Sequence, residues 1–259
     1  MELERSRYTD ELVRFLKRDY ANNLYFFTYI NEPGGASPPD PGAGVFVARE
    51  SGAIILAILI SPTHCCVSTS NIDFIKGAAR QLPPIESIHI LGRCDYTLKF
   101  LGAVRGPRRK RKLYSFCKLR PERLPHQGQS CSISASPSDL PDLVRFYQNN
   151  GMLVNCETRL PSILGFGTVR VVRQGGNIVS CALTTTETAD IAMVGAVFTD
   201  ESFRNRGFAR DCTISLCRDL VERGKEVYLF YETDNLVLAS MYRSMGFDAI
   251  GSWVLATIA

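Results

Sequence analysis

Six residues decide how this chain folds and what it can hold: Arg204-Asn205-Arg206-Gly207-Phe208-Ala209. They follow an apolar run, residues 191–199, and they open a segment with helical patterning that ends near Arg223. A helix N-terminus has unpaired backbone N–H groups and partial positive charge, which together attract anions. Gly207 has no Cβ, so a ligand can approach the main chain closely. With the charge of Arg210 added, the stretch predicts a site for a phosphate-bearing cofactor; the alternative is an ordinary glycine turn with solvated arginines.

A second group of residues follows the predicted strand 227–231. Asn235 directly precedes a helical segment, where it can cap the helix alone or share that role with the two residues before it. Ala239 and Tyr242 follow four and seven residues later, so all three lie on one helix face. A small alanine leaves room for a ligand along the helix, and Tyr242 then places its phenol at the ligand's far end. The alternative role for Tyr242 is core packing.

These motifs occur in a fixed order that ends in a helix C-cap and a core residue, Gly246-Phe247. Val197-Phe198-Thr199, then Arg204-x-x-Gly207-x-Ala209, then Asn235-x-x-x-Ala239-x-x-Tyr242-x-x-x-Gly246-Phe247 resembles the acetyl-CoA-binding core of the GNAT superfamily of N-acetyltransferases. The resemblance covers roughly residues 130–259, and the last segment resembles the FR47-type branch. The full layout, with an N-terminal half that begins Tyr20-Ala21-Asn22-Asn23-Leu24, is similar to a group of predicted bacterial acetyltransferases.

The resemblance implies acetyl-CoA as co-substrate, held where the strands 191–199 and 227–231 splay apart. Main-chain groups of the first strand would pair with the pantetheine arm, and N–H groups of the turn would bind the pyrophosphate. A strand N–H near Phe198 would stabilise the oxyanion, and Tyr242 would protonate the departing CoA thiolate as the catalytic acid. The expected cofactor contacts are Val197, Phe198, Thr199, Arg204, Asn205, Arg206, Gly207, Phe208, Ala209, Arg210 and Asn235.

The general base that must deprotonate the acceptor amine is not assigned by the resemblance. Many relatives carry a glutamate four residues before Val197, and this chain has Met193 there. Glu187, Asp190, Glu232 or a chain of water molecules can take that role, and each carboxylate can instead be simply solvent-exposed.

The order of predicted elements indicates an α/β (α+β) fold. The resemblance implies a GNAT fold, with a central mixed, mostly antiparallel sheet flanked by helices, and two GNAT-like halves in tandem: a degenerate domain at 1–125 and a catalytic domain at 126–259. The pattern predicts helices, hairpins and strands in similar order in both halves. The first half has a helix at 10–17, a hairpin at 45–49 and 53–60, a loop at 31–44, helices at 71–81 and 95–101, and strands at 87–91 and 113–119. The second has a helix from Ser136 or Ser138 to Gln148, a hairpin at 169–173 and 178–184, strands at 192–199 and 227–231, helices at 209–223 and 236–245, and a final strand pair through Trp253.

Composition favours a globular protein without a membrane span or metal. Hydrophobic residues make up 45% of the 259 residues, and the longest apolar run, Ala53–Ile60, is only strand-length. The first residues lack a signal peptide's pattern, so we expect a cytoplasmic protein. Nine scattered cysteines suit reduced, buried thiols. His64-Cys65-Cys66 is the one cluster of possible ligands, and its spacing fits no zinc motif.

Positive charge is concentrated in the first half of the chain. Residues 1–125 have 19 basic and 12 acidic side chains, whereas the remainder has 11 and 14. The run Arg108–Lys112 can be a solvated loop, or it can contact the 3′-phosphate of CoA, an acidic acceptor or RNA. Aromatic residues do not interleave with these charges, so the run does not indicate a nucleic-acid partner.

The sequence therefore predicts an acetyl-CoA-dependent N-acetyltransferase that acts by direct attack of an amine in a ternary complex. The acceptor is a small molecule or a protein that the sequence does not name, and the oligomeric state is open. Two other functions compete: a CoA-binding sensor or scaffold without turnover, which the missing glutamate favours, and a tandem-fold transferase that uses aminoacyl-tRNA, which the intact CoA motif disfavours.

Overall fold

The computed structural model describes residues 2–7, 9–27, 43–126, 128–153 and 155–258. The predicted loop 31–44 lies almost entirely outside the described residues. Within them, the chain forms two compact units, which comprise 2–27, 43–116 and 251–258 in the first and 117–250 in the second. None of the described helices is both long enough and apolar enough to span a bilayer. The domain boundary between residues 125 and 126 remains a prediction.

The first unit is built from helices and strands that match most of the predicted elements. Thr9 caps the first helix by accepting a hydrogen bond from the N–H of Leu12, which explains why the helix begins where the sequence predicts. The bounds are β1 Leu3–Ser6, α1 Asp10–Lys17, α2 Leu24–Phe27, β2 Gly44–Glu50, β3 Ala53–Ile60, β4 His64–Thr69, α3 Phe74–Ala79, β5 His89–Arg93, α4 Cys94–Leu101 and β6 Arg109–Leu119, whose last residues belong to the second unit.

The second unit contains the predicted motifs. Its first helix follows a reciprocal capping box between Ser136 and Asp139, so the predicted start of this helix is confirmed. The bounds are β7 Ile133–Ser134, α5 Leu140–Asn149, α6 Cys156–Phe166, β8 Val169–Gln174, β9 Asn177–Glu187, β10 Ile191–Thr199, α7 Phe208–Glu222, β11 Glu226–Glu232, α8 Leu236–Ser244 and β12 Phe247–Ile258, with short 3-10 helices at Pro121–Arg123, Pro137–Asp139 and Glu201–Phe203.

Each unit has one mixed sheet with the same order of elements. In the first, β1 to β5 are neighbours in sequence order and β12 residues 253–257 pair with β5; in the second, β7 to β11 are neighbours in sequence order. All these pairs are antiparallel except β4–β5 and β10–β11. Along the chain, both units run strand, two helices, three strands, helix, strand, helix. The predicted α/β class, mostly antiparallel sheet and tandem repeat are confirmed.

The core of the second unit lies on both faces of its sheet. One cluster packs α7 and α8, through residues such as Leu216 and Tyr242, against Val194 and Leu229. The other packs α5 and α6, through Phe146 and Leu160, against strands β8 and β9. Because side chains alternate between faces of a strand, β9 can serve both clusters. The sheet is thus flanked by helices on both sides.

Several details differ from the sequence prediction. The final strand pair is one strand, β12, and the run Arg108–Lys112 is not a loop but largely the start of β6. Helix α6 was not predicted, since it carries Pro161 in its interior and two glycines near its end, which are all poor helix formers. Strands β1 and β4 were not predicted either, because β1 has only four residues and β4 does not alternate apolar and polar residues.

Candidate functional site

The predicted phosphate turn connects β10 to α7. Two of its residues have left-handed backbone conformations, Asn205 with φ of 63° and Gly207 with φ of 80°. The N–H of Asp211 donates to the carbonyl of Gly207 at 2.9 Å, so the N–H groups of residues 208–210 have no acceptor within the helix. A Cβ on Gly207 would meet no other atom within 4 Å. The turn is therefore a set of backbone donors with open space in front of it, which is what an anion site requires.

Three exposed arginines surround this turn. The guanidinium of Arg204 lies 5.3 Å from the ring centroid of Phe198 and 3.1 Å from the carboxylate of Glu201. Arg206 lies over another aromatic ring at 5.2 Å. Arg210 makes no ion pair with any described residue. The positive charge of the turn is thus only partly neutralised by the protein.

A β-bulge interrupts β10 before its last residues, which stay paired with β9 but not with β11. The pairing register with β9 shifts between Gly195 and Phe198, and Ala196 has a left-handed φ of 48°. The hydroxyl of Tyr147 donates to the carbonyl of Ala196 at 2.8 Å and so holds the bulge. Beyond Val194 the described register of β10 with β11 ends. The bulge therefore opens the cleft that the sequence places between these two strands.

The predicted pantetheine-binding residues lie in this opened segment. Val197 packs on the side of α7 and α8, whereas Phe198 packs on the side of α5 and α6. The Ser180 hydroxyl lies 2.8 Å from the Thr199 hydroxyl and donates to the carbonyl of Phe198 at 3.1 Å. The segment is thus anchored on its β9 side, while its other edge faces away from the paired part of β11.

Asn235 caps α8. Its side-chain oxygen accepts a hydrogen bond from the N–H of Leu238 at 3.0 Å, and the residue is exposed. The capping role is confirmed, and it orients the side-chain amide toward the start of the helix, where the amide nitrogen can still donate to a ligand.

Tyr242 is buried, with 6% of its surface exposed. Its ring stacks on Tyr231 at 5.6 Å and meets Phe247 edge-on at 5.9 Å. Burial raises the pKa of Tyr242 far above that of a free phenol, and no described residue makes a hydrogen bond to its hydroxyl. Together with Ala239 it lines a cavity of about 320 Å³. The residue is both part of the core and a phenol available to a ligand.

Comparison with known proteins agrees with this geometry. Residues 173–254 match the family described as FR47-like protein. No curated protein matches the chain. A GNAT-family acetyltransferase from Colwellia psychrerythraea superposes with a TM-score of 0.65 at 11% identity, over 99% of each chain. A tandem GNAT protein from the clavulanic acid biosynthesis pathway gives a TM-score of 0.60 at 11% identity, over 99% of this chain and 98% of that one. A GCN5-related N-acetyltransferase-like protein from Streptococcus suis gives a TM-score of 0.59 at 12% identity, over 95% of this chain and 99% of that one.

This chain has the GNAT fold. The order of elements repeats in its two units, as expected for two GNAT folds in tandem. The bulged β10, the turn at Gly207 and helix α8 all lie within residues 173–254, which have the family match. At identities of 11–12% these comparisons give the fold, while the ligand and the reaction have to be argued from the site.

Of the three carboxylates considered as general base in this GNAT unit, only Glu232 lies at the end of the strands where the turn is. Glu187 pairs in register with Ala192, near the start of β10, and Asp190 directly precedes that strand. At about 3.3 Å per residue, the start of β10 lies more than 20 Å from Thr199.

Glu187 is moreover buried and fully engaged. It accepts hydrogen bonds from the hydroxyls of Thr168 and Thr184 at 3.0 Å, and it forms ion pairs with Arg223 and Lys225 at 3.1 Å. A carboxylate that already has four donors is poorly placed to accept a proton from a substrate. These contacts indicate a structural role for Glu187.

The basic run lies in the first unit. Arg109 donates to the carbonyls of Ile85 at 2.6 Å and Ser87 at 2.8 Å, and burial lowers its pKa. Arg109 thereby joins the start of β6 to the segment that precedes β5. One member of the run thus has a structural role, which the sequence pattern alone did not indicate.

The cysteine and histidine cluster is part of β4 in the first unit. Both thiols are buried, and burial raises the pKa of Cys65 to about 12, so it stays a neutral thiol, which is a poor metal ligand. Among the described residues no group of three or more acidic, cysteine or histidine side chains is arranged to hold a metal ion.

Two residues that shape the site were missed by the sequence analysis. Ala196 carries the bulge, and Tyr147 holds it from α5. Alanine rarely adopts positive φ, and nothing in the local pattern distinguishes Tyr147 from an ordinary core aromatic. Neither position carries a signal that a single sequence could reveal.

Proposed function

We propose that this protein is an N-acetyltransferase that moves the acetyl group of acetyl-CoA to an amine. The observation that carries the proposal is the turn before α7, where two left-handed residues, free N–H groups and three arginines converge within a GNAT fold. The residues fit the cofactor: the space at Gly207 is open, and the excess positive charge suits a diphosphate and a further phosphate.

In this proposal the turn binds the pyrophosphate through the N–H groups of residues 205–210. The pantetheine arm pairs with the open edge of Val197–Thr199, and Asn235 donates its amide to the cofactor. Arg204 would then exchange part of its contact with Glu201 for phosphate. Each of these contacts uses a group that the fold leaves available.

The transfer needs one nucleophile and one acid. The lone pair of a neutral amine forms the new C–N bond at the thioester carbonyl, and the oxyanion is stabilised by a backbone N–H near Phe198. As the C–S bond breaks, its electron pair goes to sulfur, and the Tyr242 hydroxyl gives sulfur its proton. The proton lost from nitrogen restores the phenol through solvent. Before the attack, Glu232 or water removes one proton from the ammonium form of the acceptor, which gives the neutral amine.

A matched pair of glycine substitutions tests cofactor binding. Gly207 and Gly224 flank the two ends of α7, with φ of 80° and 75°, and a Cβ at either would meet no atom within 4 Å. Gly207→Val and Gly224→Val therefore impose similar backbone strain. Calorimetry should show that only Gly207→Val abolishes acetyl-CoA binding. Equal affinity of the two folded variants would refute the assignment of the turn.

Turnover is tested by incubating the protein and acetyl-CoA with mixed amine pools, and by measuring thiol release together with the mass of acetylated products. A second function, a CoA-binding sensor without turnover, is favoured by one observation: Met193 is fully buried and stands where many relatives carry a glutamate. That function predicts tight acetyl-CoA binding and no thiol release above the uncatalysed rate with any pool.

A further inference from the structure

The cavity beside Tyr242 lies within the second unit and borders the predicted cofactor motif through Ala239 and Tyr242. It has a volume of about 320 Å³ and lies between α8, the start of β12 and the end of β6, where it is lined by Arg120, Tyr231, Ala239, Tyr242, Arg243 and Asp248 among others. A water molecule takes about 30 Å³ in the liquid, so the cavity holds roughly ten water-sized groups. That is the lower end of the size range of small-molecule pockets, and it is far larger than an acetyl group needs.

The floor of this cavity is apolar and uncharged. Tyr231, Tyr242 and Phe247 bring their rings together there. Cys117 is buried beside them, and burial raises the pKa of its thiol to about 11, so it is neutral at physiological pH. A floor without charge favours the apolar body of a ligand, since a charged group there would lose its hydration without compensation.

The rim of the cavity has an excess of positive charge. Asp248 is shared by two arginines: it accepts from Arg120 at 3.0 Å and also from Arg123, and these contacts lower its pKa. Arg243, by contrast, makes no ion pair or side-chain hydrogen bond with any described residue. Two arginines thus satisfy the one carboxylate, and a third faces the cavity without a counter-charge. A guanidinium in this state matches a carboxylate in geometry and charge.

We propose that this cavity receives the acceptor, and that the acceptor is a small amine that carries both a carboxylate and an apolar side group, the class to which apolar amino acids belong. The inference rests on the proposed function, because it takes Tyr242 as the acid. Arg243 directly follows Tyr242 and both line the cavity. A carboxylate bound at Arg243 therefore leaves the apolar group over the aromatic floor and brings the amine near the Tyr242 hydroxyl, where the thioester is cleaved. Arg243 is a specificity residue in this arrangement.

The test compares amines that differ only in the carboxylate. L-phenylalanine and L-leucine are each paired with the amine that decarboxylation would leave, phenethylamine and isoamylamine, and kcat/KM is measured with saturating acetyl-CoA. A charge-assisted hydrogen bond to a guanidinium predicts about a 10- to 100-fold preference for the amino acids. Arg243→Gln should remove most of that preference by raising KM for the amino acids at least tenfold more than for the amines. Arg145→Gln, at an exposed arginine on α5, should retain the preference.

The outcomes separate this inference from the function on which it rests. If acetyl-CoA does not bind, or no amine in broad pools is acetylated, the proposed function fails and the acceptor assignment falls with it. If amines are acetylated but the decarboxylated members react as well as the amino acids, the acceptor class is wrong while the function stands. The same conclusion follows if Arg243→Gln lowers the activity on both members of a pair equally. If neither member of a pair reacts, calorimetry with L-phenylalanine in the presence of CoA decides, and lack of binding overturns the proposal.

Discussion

At the scale of single residues, the partners of a buried polar group indicate its role. Glu187 and Tyr242 are both buried. The Glu187 carboxylate has two hydroxyl donors and two cationic partners, whereas the Tyr242 hydroxyl has no hydrogen bond with the described residues. The hydroxyl is not among the fully buried unpartnered atoms and Tyr242 lines the cavity, so a ligand or water can meet it there. This contrast makes Glu187 a structural residue and supports Tyr242 as the functional one.

Tyr242→Phe should lower kcat by about 10²–10⁴-fold, the usual contribution of general-acid help, with little change in acetyl-CoA affinity or thermal stability. The phenol donates only while protonated, and its raised pKa keeps it protonated beyond about pH 10, the ordinary phenol value. The kcat of the wild type should therefore show no alkaline fall from this group up to that pH. Single-turnover rates are the appropriate measurement, because slow product release would mask the loss of a proton donor.

The control for this variant is Tyr228→Phe, which makes the same chemical change on β11, where the hydroxyl donates to Glu226 at 2.5 Å. Its single-turnover rate should stay within a few-fold of the wild type. If Tyr242→Phe behaves in the same way, Tyr242 is a core residue only; if its acetyl-CoA affinity falls with the rate, the hydroxyl anchors the cofactor.

Glu187→Gln should have the opposite pattern. Removing the charge leaves Lys225, of which only 12% of the side chain is exposed, without its anionic partner, and breaking a buried pair in this way costs up to about 3 kcal/mol. Urea denaturation should show the loss, while kcat stays within a few-fold of wild type. Glu222→Gln, at an exposed position on α7, should change neither quantity. A large fall in kcat of a folded Glu187→Gln protein would return Glu187 to the list of candidate bases.

At the scale of elements, regular patterns were predictable and irregular ones were not. The bounds of α1 and β3 agree with the sequence prediction to the residue, because a capping threonine and a continuous apolar run define them. The turn at Gly207 and the cap at Asn235 were also predicted, since their residue types fit few other conformations. The bulge at Ala196 was not predicted. It shifts the alternation of side chains along β10, so that Ala192 and Val194 share a face with Val197 rather than with Phe198. A strict alternation would have assigned Phe198 to the wrong face.

The bulge is held by the hydrogen bond from Tyr147 of α5, and Tyr147→Phe removes this hydrogen bond. The carbonyl of Ala196 then loses its donor, which costs about 1–3 kcal/mol when no other group replaces it. Ala196 can relax from its left-handed conformation, and the open edge at Val197–Thr199 should partly close. We expect a lower melting temperature together with a weaker acetyl-CoA affinity, measured by calorimetry. A variant that loses stability but binds acetyl-CoA as tightly as the wild type would show that the bulge does not shape the cofactor site.

At the scale of the whole molecule, the two units repeat one fold but differ at the corresponding turn. In the second unit, β10 leads to α7 through Asn205 and Gly207, both with positive φ, and through exposed arginines. In the first, β4 leads to α3 through residues 70–73, all of them described and none with positive φ. This connection has no basic residue, and it ends in Asp73, which pairs with Lys99 at 2.6 Å. Lys99 lowers the pKa of Asp73, so this carboxylate is ionised, and the start of α3 already holds an anionic side chain where a phosphate would have to bind.

The chain should therefore bind one acetyl-CoA and not two. Isothermal titration of the full-length protein should give a single class of sites with a stoichiometry near one per chain, and Gly207→Val should abolish this binding while the Gly224→Val control retains it. Asp73→Asn removes the negative charge at the first unit's turn but supplies neither a glycine nor free arginines, so the stoichiometry should stay at one. Two sites per chain, or a site that survives Gly207→Val, would mean that the first unit binds the cofactor by groups other than those that the turn of the second unit provides.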